Sequence, residues 1–345
     1  MKILSLFLFS LCIISCSKTT YVIKQGYQQI DLEARGRLNE DVLADKEISK
    51  KHKKQIKDIL AYKKFFYDFF NEEPTTIYNK TTFLDNDAVT YLVIASPQNE
   101  IKALEHDFPI VGKFPYLGFF DKDDATNYAK ELKKKGYEIY IRDVYAYSTL
   151  NQWIFNDNIL SSFFHFERDE LAALIFHELY HTVFFAPDEV EFNENLAQFF
   201  SRKLVEVYFK RKSEETIQIE AARKKDTLLY QSLAGHAKKL NEVYKSLKDN
   251  YQEARENYVL ETMRPDLKAI CEKNKIEKCW PLETKWNNAK FVSFITYESK
   301  QDKIKEFYTD KNFNLKSFYQ FIKKRYKKYK KKSREESFQA FFFKG

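Results

Sequence analysis

His177-Glu178-Leu179-Tyr180-His181 spells H-E-x-x-H, and Asn193-Glu194 follows, with Glu194 thirteen positions past His181. On an α-helix, residues four apart stand one turn above each other, about 6 Å along the axis. Both imidazoles can therefore reach one tetrahedral Zn²⁺ ion, with Glu178 between them aimed at a metal-bound water. The ion still needs another protein donor. Glu194 is the expected third ligand, at roughly 2.0–2.2 Å, and Glu191, one turn earlier, is its rival. Such a set leaves one position open for water and implies hydrolysis. The metal lowers the water's pKa toward about 7, and Glu178 takes the proton and passes it to a leaving amine. H-E-x-x-H is also short enough to arise by chance on an ordinary helix, so the elements around it decide its meaning.

Those elements are legible. Leu171, Leu174, Ile175, Leu179 and Val183 repeat at helical spacing, with Asp169 and Glu170 where a helix start favours acid. Pro187 is expected to stop this helix. After the Pro187-Asp188 turn, a second helical pattern runs through Phe192, Leu196, Phe199, Phe200 and Leu204. Glu194, Ala197, Gln198 and Ser201 share its other face, and the small residues there let two helices approach closely. Asn193 has two readings, orienting the metal shell or capping its helix.

The chain start reads as an address. Met1-Lys2 is a short basic region, and Ile3 to Ile14 is apolar but too short to span a bilayer. Ile13-Ile14-Ser15-Cys16 matches a bacterial lipobox, so residues 1–15 are expected to be removed and Cys16 lipidated, against the alternative of a plain secretory peptide. Several acyl chains on one cysteine anchor stably. The expected place is the bacterial cell envelope, facing the periplasm from the outer or inner membrane. Export also makes the cysteines readable. Cys12 leaves with the signal, and Cys271 and Cys279, eight apart in an oxidising compartment, point to a disulfide rather than to metal ligands.

Few glycines and prolines, seven of each in 345 residues, and 17% aromatics argue for a mostly helical, well-packed body. The formal net charge is +8, with nine Lys or Arg between Lys323 and Arg334. Anionic headgroups are one partner for that run, but a solvated helix end is the preferred reading. Nucleic acid is not expected of an exported chain.

In chain order, a helix is expected from Tyr21 to Leu38 and another from Lys46 through Phe70. Val89–Ala95 reads as a strand, Asp121–Lys135 as a helix and Tyr137–Ile141 as a strand, a β-α-β passage implying a small mixed sheet before the H-E-x-x-H helix. A free edge of that sheet would suit an extended peptide. Glu214–Glu261 is the longest helical run, with Leu228, Leu229, Leu233, Leu240, Val243 and Leu247 as its apolar side. Trp286 to Tyr297 and Leu315 to Tyr329 complete the chain.

Ordered pieces along the chain carry a resemblance. They include Gly26-Tyr27-Gln28-Gln29, Leu43-Ala44-Asp45, Phe108-Pro109-Ile110-Val111-Gly112 and Tyr116-x-Gly118-Phe119-Phe120-Asp121. Further on come Val144-x-Ala146-Tyr147-Ser148-Thr149-Leu150, Leu174-Ile175-Phe176-His177-Glu178-Leu179, Phe192-Asn193-Glu194, Asn287-Asn288-Ala289-Lys290 and Thr296-Tyr297. Together they resemble the bacterial "putative zinc aminopeptidase" family, whose members are similar to gluzincin metallopeptidases. Tyr180 departs from it, standing where relatives tend to carry a small residue, which bears on pocket access.

The resemblance implies an α+β fold, mostly helical and zincin-like, binding one Zn²⁺ ion through His177, His181 and Glu194, with Glu178 as the base. Tyr297 and Tyr147, both in family-like motifs, are its candidates for donating to the oxyanion. Glu191 or Asp188 would receive a substrate's α-amine. The expected organisation is a signal peptide over 1–15 and a single body over 16–345. Within that body come N-terminal helices to 75, a sheet region over 81–150, metal-site helices over 167–210 and C-terminal helices from 211. The expected function is a zinc-dependent aminopeptidase anchored to a membrane. The alternatives are an endopeptidase or cell-wall peptide hydrolase, and a lipoprotein binding module without turnover.

Overall fold

Thr90–Pro97, rich in β-branched and aromatic residues, is the centre of a three-stranded sheet. In the computed structural model, which describes residues 19–108, 112–146, 157–187, 189–295, 302–331 and 336–344, it pairs antiparallel with Leu117–Phe119 and with Tyr137–Val144. Cys16, Tyr147, Asp188 and Tyr297 lie outside the described residues. The helix Lys122–Lys134 crosses over the central strand, so the two flanking strands run parallel to each other without being neighbours. Every hydrogen-bonded pair in this sheet is antiparallel, which corrects the expectation of a mixed sheet here.

The alternation of the central strand explains its two cores. Tyr91, Val93 and Ala95 face Ala125, Ala129 and Leu132 of the covering helix. Ile94 points to the other side, into a cluster with Leu229, Leu233, Leu240 and Phe291. The long helix feeding that cluster is Ser213–Lys245, shorter than expected, because Asn250 takes a left-handed φ of 56° and starts a new helix at Tyr251. Leu228 is exposed rather than part of the apolar side. Cys271 and Cys279 are disulfide-bonded, with Cα atoms 6.0 Å apart.

Asn287 and Asn288 serve this unit as clamps. Asn288 Nδ2 donates to the carbonyls of Pro97 and Gln98, its Oδ1 accepts from Tyr244, and its backbone N–H donates to Glu138 at 2.6 Å. Asn287 Nδ2 donates to the Ile139 carbonyl. Glu138 is also paired with the buried Arg255.

The chain divides into two compact units, each drawn from three separate stretches. The sheet unit takes residues up to 32, 88–145 and 217–298; the second takes 33–87, 146–216 and 299–345. A small sheet in the second unit is the mixed one. Lys80–Thr82 pairs antiparallel with Arg37–Leu38 and parallel with Ile159–Leu160, and that last strand leads through a 3₁₀ turn into the H-E-x-x-H helix.

The first helix covers 19–34 and does not reach Leu38. Gly36 lies directly under the Asn158 side chain, and any Cβ there would collide with its amide nitrogen. Asn158 in turn donates to the Glu33 carbonyl and to Thr82. Lys50–Phe70 begins with Ser49 accepting from His52 N–H and ends at Asn71, left-handed at φ 56°. Among the described residues, no helix is long and apolar enough to cross a membrane.

Candidate metal centre

The H-E-x-x-H segment lies in the helix Arg168–Val183, here the motif helix. Glu167 and Glu170 form its capping box, so the acidic start expected from the sequence carries direct hydrogen bonds. Its apolar side drives into aromatic rings: Phe176 meets Tyr62, Phe65 and Tyr208 at centroid distances of 5.8, 5.8 and 6.0 Å. The helix ends because Phe184 turns extended, before Pro187 is reached. Tyr180 is fully buried against Phe200, ring centroids 4.6 Å apart, so it belongs to the packed side and does not govern access to the site. Its hydroxyl has no hydrogen-bond partner, and burial pushes its pKa well up.

The second helix, Val190–Tyr208, carries Glu194 and runs back along the first. Two contacts fix the far end of this hairpin. Arg211 pairs with Asp169 in the first turn of the motif helix, and Arg168 stacks on Phe209 at 4.3 Å. Small buried Ala197 and Ser201 lie on the face shared with Glu194. At the turn, Asn193 Oδ1 accepts from Ala186 N–H at 2.9 Å and its Nδ2 donates to the Ala186 carbonyl at 2.8 Å. Asn193 is thus a buried staple of the turn. The N-cap position belongs to Glu189, whose carboxylate accepts from the backbone N–H groups of Phe338 and Gln339.

The hairpin brings three donors together. His177 Nε2 is 3.0 Å from Glu194 Oε2, His181 Nε2 is 3.3 Å from His177 Nε2, and His181 Nε2 is 3.4 Å from Glu194 Oε1. The two histidine side chains are largely buried, whereas Glu194 is half-exposed. His177, His181 and Glu194 form a group able to hold a metal ion. Glu191, the alternative donor, is exposed on the first turn and is not part of this group. Glu178, between the two histidines in sequence, is buried at 9% exposure.

Without a metal, the three groups share charge unevenly. Burial and the neighbouring His177 hold His181 down to about 4, with Glu194 pulling the other way. Burial also works against a charged His177, but the hydrogen bond to Glu194 and the charges of Glu178 and Glu194 outweigh it and raise its pKa. Burial likewise disfavours a charged Glu194, and the two imidazoles nonetheless keep its pKa lowered.

One residue near Glu178 carried no signal in the sequence. Tyr78 is buried and holds a left-handed φ of 62°, a conformation that a bulky side chain rarely adopts. Its neighbours fix it on every side. Tyr78 N–H donates to the Asp157 carbonyl, and Asn39 Nδ2 donates to the Tyr78 carbonyl. Lys63 Nζ donates to the Ile77 carbonyl at 2.6 Å and to Asn79 Oδ1 at 2.8 Å. Burial first, then the charge of Glu178, pushes the Tyr78 phenol well up. Strain held by surrounding contacts in this way is typical of functional sites.

Comparison with known proteins bears on the whole chain. A family model described as "Putative aminopeptidase" matches residues 20–338. No curated protein and no solved structure matches. The matched span holds both helices that carry His177, His181 and Glu194 and both compact units almost entire, and the chain belongs to the putative aminopeptidase family.

Proposed function

We propose that this chain is a zinc-dependent peptide hydrolase that removes residues from free N-termini, with Cys16 lipidated and the protein held at a membrane of the cell envelope. The observation that carries the reading is the spacing of the three donors. A tetrahedral zinc ion with ligands at about 2.0–2.1 Å separates its donor atoms by roughly 3.3–3.4 Å. The two imidazole nitrogens here are 3.3 Å apart, and the Glu194 carboxylate lies 3.0 Å from His177 through Oε2 and 3.4 Å from His181 through Oε1, on two helices tied at both ends. Two imidazoles and a carboxylate are also the donor types that zinc accepts in hydrolases.

Bound zinc supplies a Lewis acid that polarises a peptide carbonyl and acidifies water. His177, His181 and Glu194 would hold it. Glu178, next in sequence to one ligand and one turn from the other, takes the proton from the attacking water and hands it to the departing amine. Its burial keeps competing water away from that carboxylate. Tyr147 and Tyr297 are the proposed donors to the oxyanion, and Glu191 the proposed partner of the α-amine.

The test joins metal content to turnover. Wild type and Glu178→Gln are both expected to bind one zinc per chain, with activity in the wild type alone. Aminoacyl reporters should be cut and N-terminally blocked peptides left intact. Cleavage of blocked peptides instead would make the protein an endopeptidase. Stoichiometric metal without turnover on either would make it a binding module.

A further inference from the structure

The helix over 19–34 has one side that the fold of its unit covers and one that it leaves bare. Tyr21, Gln25, Gln28, Gln29 and Leu32 recur at helical spacing on the covered side. Tyr21 donates to the Gly118 carbonyl at 2.6 Å and packs on Phe108 and Phe119. Gln25 accepts from Phe120 N–H, and Lys24 pairs with Asp124.

Val22, Ile23, Tyr27 and Ile30 occupy the opposite side, exposed by 53, 66, 70 and 58%. At about 100° per residue they fall within an arc of about 140°, with Gly26 between them and open space above it. These four are a large share of the big apolar side chains left in solvent among the described residues, and they cluster within a single helix. A bare stripe of this kind marks a contact surface.

The sequence just ahead supplies the occupant. Cys16, the proposed lipid site, precedes the described start of the helix at Thr19 by three residues. Three residues span at most about 10 Å. An acyl chain on Cys16 therefore brings the start of this helix to the headgroup level, and a helix lying along the surface sinks its apolar side chains about 5–10 Å, at a depth where tyrosine rings sit comfortably.

We infer that Val22, Ile23, Tyr27 and Ile30 form a bilayer-interface seat that inserts into phospholipid beside the acylated Cys16 and fixes how the attached sheet unit faces the membrane. The inference rests on the lipid-anchor reading, and the experiment separates the two. Cys271 and Cys279 are bonded to each other. An Ile23→Cys substitution therefore gives the acylated mature chain a single free thiol for a polarity-sensitive label. A Leu228→Cys chain, whose residue is exposed and apolar on another helix of the same unit, is the control.

In vesicles of phosphatidylethanolamine and phosphatidylglycerol, the label at 23 should shift to the blue and be quenched by brominated acyl chains; the label at 228 should do neither. A label at 23 that stays in water on vesicle-bound, palmitate-labelled protein overturns the seat and leaves the anchor standing. Absence of palmitate incorporation overturns the anchor. In that case the unacylated Cys16→Ser chain still tests the seat. It should bind the vesicles, and Ile23→Asn/Tyr27→Ser/Ile30→Asn should weaken that binding by on the order of a hundredfold. Equal binding by the triple variant, or a blue shift without vesicles that tracks protein concentration, means a second copy covers the stripe and refutes the seat.

Discussion

Asn193 and Ala186 exchange two hydrogen bonds across the turn that joins the metal helices, using both polar atoms of the asparagine amide and both backbone groups of the alanine. The side chain is 1% exposed, so neither backbone group can turn to water if it is lost. Asn193→Ala should destabilise the protein by about 2–4 kcal/mol in urea unfolding, since each orphaned buried group costs about 1–3 kcal/mol. Metal affinity should fall with it, because the turn sets where Glu194 meets the imidazoles. Asn193→Asp keeps the acceptor and should recover part of the loss. Unchanged unfolding in the alanine variant would refute the staple.

Metal uptake should release a proton at mildly acidic pH. His177 is the ligand with a raised pKa and so carries that proton, whereas His181, held near 4, is already neutral. Apparent zinc affinity should fall about tenfold per pH unit as His177 protonates, and more steeply only toward about 4. Calorimetry in buffers of different ionisation heat counts the protons. For the metal-free fold, the depressed pKa values of His181 and Glu194 give stability that is present at neutral pH and lost on acidification. The raised pKa of His177 contributes in the opposite sense, fully below 6.5 and lost as pH rises.

Replacing Tyr147 and Tyr297 by phenylalanine, one at a time, should identify the oxyanion donor. The variant lacking it should lose about 10²–10³ in kcat with KM and zinc content little changed. If neither loses more than a few-fold, both tyrosines are structural.

Lys63 gives a stability signature on the alkaline side. Burial lowers its pKa from 10.5 to about 8, so between those values the unfolded chain binds the extra proton. Stability should therefore rise with pH across this window, by up to about 1.4 kcal/mol per pH unit at its steepest. Lys63→Met should flatten the slope, as measured by urea midpoints from pH 7.5 to 10. An unchanged slope would show that Lys63 is not its source.

The hairpin that brings His177, His181 and Glu194 together was legible in the sequence because its information is local. Spacing placed His177 and His181 on one turn, and a second amphipathic pattern with small residues placed Glu194 on a facing helix. What stayed hidden depends on partners far along the chain. Asn193 reads by position as an orienter of the metal shell or as a cap, and only the fold shows that Ala186 uses up its amide. The first helix stops at residue 34, and Gly36 just beyond it lies against the Asn158 side chain, a contact that no local pattern records. The sheet read as mixed because strand, helix, strand in sequence suggests a parallel crossover, whereas the intervening strand Leu117–Phe119 reverses the chain and Tyr137–Val144 pairs antiparallel with Thr90–Pro97. Tyr78 is a residue type with no preference for the left-handed region, so nothing at that position announced its strained backbone.

The interleaving of the two units has a consequence for how the chain matures. Synthesis runs from the N-terminus, and the His177–Glu194 segment is complete about 150 residues before the last strap is made. Yet Phe192 packs on Phe338 and Phe342, and Glu189 receives the N–H groups of Phe338 and Gln339. Contacts so distant along the chain must wait for the last residues to arrive, which slows closure. A polypeptide cut short between Glu194 and Phe338 keeps His177, His181 and Glu194 and lacks the tail that packs on Phe192 and Glu189.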